Sequence, residues 1–263
     1  MFGSLLVRLV AIILFGDKGI DNEWVILLHN LEVNQILSVR EVDNTPVPNI
    51  FMPPLYPLFL YSIKIFFSNP TFFINAVKFF ELLFALISIY LFYKILLEFY
   101  SKNISYIGTF IFSFFPLNIY AVTQISSITI QIFLLNVYLL SFVKIFKGAD
   151  FKNLLTFSIS SGLLILLRGE FFIFVLLSLL YLFLHQNNFK KIILISIMTI
   201  LIISPYLIRN YKIFGVITVT KSAGYNLLKG SNPSAKVEGI GMFGDVGRVV
   251  PAVNEKLKKL EAQ

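Results

Sequence analysis

The stretch from Leu154 to Leu184 carries no charge except at Arg168 and Glu170, which flank Gly169 in its middle. As one α-helix it would run roughly 46 Å at 1.5 Å per residue, whereas a bilayer core is about 30 Å thick. One span is therefore excluded. Two spans must meet at Arg168-Gly169-Glu170, with Gly169 permitting the turn and the two charges at one membrane surface. The chain is thereby committed to a membrane and to a hairpin with a polar tip.

The whole chain of 263 residues has the same character: 57% of it is hydrophobic and 14% charged, with a mean hydropathy of +0.82. That is far more apolar than a soluble domain. With no Cys, and with His29 and His185 far apart, a thiolate or His-based metal centre is not expected. Any site must be built from carboxylates, Arg, Lys, Tyr and backbone, and neither a metal nor another cofactor is expected. The net charge of +8 does not imply nucleic acid, because the Lys residues fall mostly in short loops between apolar runs, where they set topology.

Apolar segments fall near residues 2–15, 51–67, 72–93, 104–120, 124–143, 153–167, 171–184 and 192–208. The first contains Arg8 and is followed by no small-residue cleavage site, so it reads as an uncleaved span rather than a signal peptide. Arg8 is near enough to the amino end to snorkel to the surface. If residues 53–67 do not cross, the loops with Lys94 and Lys102, with Lys144, Lys147 and Lys152, and with Lys190 and Lys191 all face the cytoplasm. The acidic first loop (Asp17, Asp21, Glu23, Glu32, Glu41, Asp43) then faces outward. The expected fold is an all-α polytopic membrane protein with about seven spans and a cytoplasmic amino end. A short interfacial helix at 53–67 starts at Pro53 and Pro54, where missing amides cost nothing. Residues 1–208 form the transmembrane module, with 16–72 as its first outer loop, and 209–263 form an outer tail.

Arg40, Arg168, Arg209 and Arg248 all fall on the outer side, and the cytoplasmic loops hold Lys but no Arg. A guanidinium binds phosphate through two parallel hydrogen bonds and stays charged, so this bias favours an outer anion site. The competing reading of Arg168 is an interfacial anchor paired with Glu170, and Arg209 has the same alternative. In DNEWVILLHNL, Asp21 suits a helix cap and Glu23 a first-turn acid; alternatively, a carboxylate there takes a proton from an attacking hydroxyl. In MPPLYPLF, Pro54 stiffens the start of the interfacial helix and Tyr56 is a natural interfacial aromatic. Lys64 and Lys78 flank the following turn and suit anionic head groups.

Taken in order, an Arg in the first span, DNEWVILLHNL, PPLYPLFL, GLLILLRGEFF and SPYLIRNYKIFGVITVTKSAGYNLLKGSNPSA resemble the GT-C fold glycosyltransferases that use polyprenyl-phosphate sugars. The likeness is greatest to bacterial relatives of protein O-mannosyltransferases and of the lipid A aminoarabinose transferase. The resemblance implies a GT-C-like enzyme of the bacterial inner membrane that transfers a sugar to a hydroxyl on lipid, glycan or protein at the periplasmic face. It implies Asp21, or Glu23 as second choice, as the essential acid of the first outer loop. It assigns Arg168 and Arg209 to the carrier phosphate, and Tyr225, Asn226, Gly230 and Asn232 to an outer loop over the cavity. Ser127 stands where such proteins commonly carry a second acid. Relatives continue with further spans, so the resemblance also implies a partner chain or a longer form supplying them. The alternatives are a lipid-linked-oligosaccharide flippase and an inactive member of the family.

Overall fold

In the computed structural model, the structure describes residues 2–20, 23–39, 41–42, 45–148, 150–186 and 189–222, together with Leu227; the side chains of residues 23, 41, 42 and 186 are outside that description. The chain divides into two compact units, Met1–Ile20 with Pro53–Val219, and Asp21–Met52 with Thr220–Gln263.

The first unit is built from helices. They are α1 (Phe2–Phe15), α3 (Leu55–Phe66), α4 (Pro70–Leu97), α5 (Lys102–Phe114), α6 (Pro116–Ala121), α7 (Ile128–Lys147), α8 (Phe151–Leu167), α9 (Phe171–Gln186) and α10 (Phe189–Phe214). Three of them, α4, α7 and α10, are long and apolar enough to cross a bilayer, and α1, α3, α8 and α9 are shorter apolar helices. The protein is thus a helical membrane protein. Asn69 caps α4 by accepting the amides of Thr71 (2.9 Å) and Phe72 (3.3 Å), and Pro70 follows at the first helical position.

The segment expected as one helix over 104–120 is broken into α5 and α6. Pro116 cannot donate to the ladder and forces Phe115 into an extended conformation (φ −65°, ψ 122°). The last helix is longer than expected, extending to Phe214 with Pro205 inside it.

Short links alternate the helix directions. The ends of α6, α8 and α10 and the starts of α4, α7 and α9 therefore share one side, that of Arg168, and the end of α1 joins them because Gly16 lies beside Lys78 of α4. The opposite side is Lys-rich. Packing runs from α4 through α7 and α8 to α10. Phe84 of α4 stacks on Phe133 of α7 at 4.9 Å, and Tyr138 of α7 on Phe157 of α8 at 4.7 Å. Small residues bring α8 against α10: Ser158 and Ser161 are fully buried, and a Cβ on Gly162 would collide with Ile202. This is the usual means of close helix approach where lipid already satisfies apolar surface.

Arg8 departs from its expected snorkelling geometry. It is buried, and its Nη1 donates to Ser4 Oγ, to the Ser4 carbonyl (3.3 Å) and to the Ser113 carbonyl (2.9 Å). The broken helix explains this, because Ser113 lies in the last turn of α5, where carbonyls lack intrahelical donors.

The second unit contains α2 (Glu23–Asn34) and a two-stranded antiparallel pair, β1 (Glu41–Val42) with β2 (Thr45–Pro46). Fully buried Asn30 donates to the Ser38 carbonyl (3.2 Å), and Gln35 takes a positive φ of 55° to turn the chain. The Lys221 amide donates to the Ile50 carbonyl (2.9 Å), and the Thr220 hydroxyl to the Phe51 carbonyl (2.7 Å).

Candidate functional site

A polar cluster gathers where α1 ends. The Gly16 amide donates to the Ile12 carbonyl (3.0 Å). A Cβ on Gly16 would collide with that carbonyl and with Lys78 Nζ, so the close approach requires glycine. The Lys78 ammonium thus sits against the last carbonyls of α1, the negative end of its dipole. The next residue, Asp17, donates its amide to the Thr123 carbonyl (3.0 Å) and accepts from the Ile125 amide through Oδ2 (2.7 Å). These two bonds tie the end of α1 to the link between α6 and α7.

Glu81 lies three residues beyond Lys78 on the same helix face. It is 0% exposed. Its Oε1 accepts from the Tyr56 hydroxyl at 2.8 Å, and the Ser126 amide also faces the carboxyl group. Its Oε2 is buried and has no hydrogen-bond partner among the described residues. Lys78 is within electrostatic reach of both Asp17 and Glu81. Burial first, and then the charge and hydrogen bond of Glu81, push the Tyr56 phenol above its ordinary range, so it remains a donor. An unpartnered carboxyl oxygen beside a phenol and an ammonium has the chemistry to exchange a proton with a hydroxyl and hold a developing negative charge nearby.

Among the residues singled out from the sequence, Tyr56 belongs to this cluster. Pro54 precedes α3 directly, is buried, and accepts the Leu58 amide (3.0 Å). Arg168 and Glu170 pair with each other at 3.4 Å, both side chains exposed, at the tip between α8 and α9. Arg168 itself is extended (φ −150°, ψ 117°). The positive φ among the described glycines belongs to Gly215, so the tip turns through Gly169 with an ordinary backbone. Arg209 lies within the last turns of α10 rather than past a span end. Its guanidinium sits over the rings of Tyr206 (5.6 Å) and Phe214 (5.5 Å) and donates to Asn210 (2.8 Å), which in turn donates to the Thr218 carbonyl (2.7 Å).

Glu23 begins α2, but its side chain lies outside the described residues, as do Asp21, Tyr225, Asn226, Gly230 and Asn232. Sequence reasoning missed Glu81 and the structural role of Asp17. A usable signal was present: Lys78 and Glu81 are opposite charges three residues apart inside a 28-residue apolar helix.

Comparison with known protein families, with characterised proteins and with solved structures found no match. The fold and the site describe a helical membrane protein that buries an acid, a phenol and an ammonium together at one end of its bundle.

Proposed function

We propose that the protein is a GT-C-like glycosyltransferase that moves a sugar from a polyprenyl-phosphate carrier to a hydroxyl acceptor at the outer face of a bacterial inner membrane. In this reading α1, α4, α5 with α6, α7, α8, α9 and α10 cross the bilayer, α3 lies in the outer interface, and the tail is periplasmic. The observation that carries the reading is the buried Tyr56–Glu81 pair beside Lys78, because acceptor activation needs a carboxyl group with an oxygen that no other group has claimed. The sequence lacks an acid at Ser127; Glu81 supplies one from a neighbouring helix, facing the Ser126 amide. Asp21 or Glu23 remains the acid implied for the first outer loop, with Arg168 and Arg209 as the phosphate-binding cations.

Membranes containing the whole chain, incubated with a radiolabelled polyprenyl-phosphate sugar, test this directly. Transfer is expected, with a loss of at least tenfold in Glu81→Gln, Asp21→Asn and Arg168→Ala. Undiminished transfer in all three overturns the site.

A flippase for lipid-linked sugars is the second reading. Arg8, Lys78 and Glu81 are buried in helices read as spans, a placement frequent along transport pathways. Movement of lipid-linked sugar across proteoliposomes without any transfer favours it.

A further inference from the structure

On the Lys-rich side, an apolar groove of about 750 Å³ opens between α1, α4 and α5. Its wall includes Gly3, Ile89, Ile107, Phe110 and Phe114, and Tyr90, Tyr93 and Tyr106 also line it. The volume is typical of a ligand site. Tyr93 and Tyr106 stack at 5.1 Å. Above two of these rings lie ammonium groups: Lys94 Nζ is 5.5 Å from the Tyr90 centroid, and Lys102 Nζ is 5.8 Å from that of Tyr106. Both lysines are exposed. Lys102 also opens α5, whose first amides have no intrahelical acceptor and aim positive charge the same way. Glu98 lies on the short link between the two helices, but it is engaged by Lys147 at 2.9 Å.

We propose that this groove binds an anionic glycerophospholipid of the adjacent leaflet, one acyl chain along the α1–α4–α5 groove and the phosphate between Lys94 and Lys102. Hydrocarbon surrounds the groove in any case, so the chain gains packing rather than hydrophobic transfer. Selectivity must come from the head group, and basic pockets between helices at the membrane surface recognise such groups. Three tyrosines at the mouth mark the depth at which a head group sits. A two-fold contact with a second copy of the chain fits the site poorly, because it would set the same lysines against each other.

The test is native mass spectrometry of the whole, delipidated chain titrated with dioleoylphosphatidylglycerol or dioleoylphosphatidylcholine, which share acyl chains. The wild type should retain the anionic lipid at least fivefold better. Lys94→Gln with Lys102→Gln should erase that preference, and Ile107→Trp, filling the groove, should lower retention of both lipids at least threefold. Lys144→Gln with Lys152→Gln, exposed lysines elsewhere on the same side, should change neither. All five positions are exposed, and unchanged helical content verifies that each variant folds. Equal retention of the two lipids, an equal loss in the control pair, an unaffected Ile107→Trp, or a chain dimer in place of bound lipid overturns the proposal.

Discussion

The two ends of α4 handle charge in opposite ways. Near its start, Lys78 and Glu81 are buried and answer to Tyr56, Asp17 and the end of α1. Near its end, Lys94 is exposed and Glu98 is half-buried and paired with Lys147, while the wall between α4 and α5 is apolar. A charge placed in hydrocarbon persists only where other groups hold it, so the first end is structurally specified and the second is permissive. The first end is where chemistry is to be sought, and the second is a surface that lipid can share.

Glu81→Ala should break the contrast most, leaving the buried Tyr56 hydroxyl without an acceptor and a void where the carboxyl group was. A loss of about 3 kcal/mol, read as a lower thermal midpoint in detergent, is expected. Gly16→Ala comes next, at about 2 kcal/mol, because its new methyl meets a backbone carbonyl that cannot move aside. Tyr56→Phe should cost about 1 kcal/mol, since it removes one buried donor and leaves the packing intact.

The other end should scarcely respond. Gly108→Ala meets only the flexible tip of Leu96, and the gain in helix propensity of about 1 kcal/mol offsets that contact. Lys147→Ala removes a partly exposed ion pair worth under about 1 kcal/mol, a difference that high salt should abolish. Equal sensitivity at both ends would refute the division.

Much of the helical layout was legible because long apolar runs have few other solutions in lipid. The expected segments 72–93, 153–167 and 171–184 lie inside α4, α8 and α9. The division of 104–120 was missed because hydropathy does not register an absent amide, although Pro116 was plain to see. The site was less legible. Tyr56 was singled out as an interfacial aromatic, but its partner Glu81 lies 25 residues away on another helix, a separation with no periodic signature. Arg168 and Glu170 are close in sequence and pair with each other, as the alternative reading of Arg168 as a paired anchor expects.

The bond from Arg8 to Ser113 spans 105 residues, and this affects how the chain is made. At synthesis rates of about 5–20 residues per second, the acceptor emerges roughly 5–20 s after the arginine. Throughout that interval α1 carries a guanidinium without its final carbonyl. Its settled position in the membrane must therefore await α5, so α1 is locked only after α2, α3 and α4 have followed it out of the ribosome.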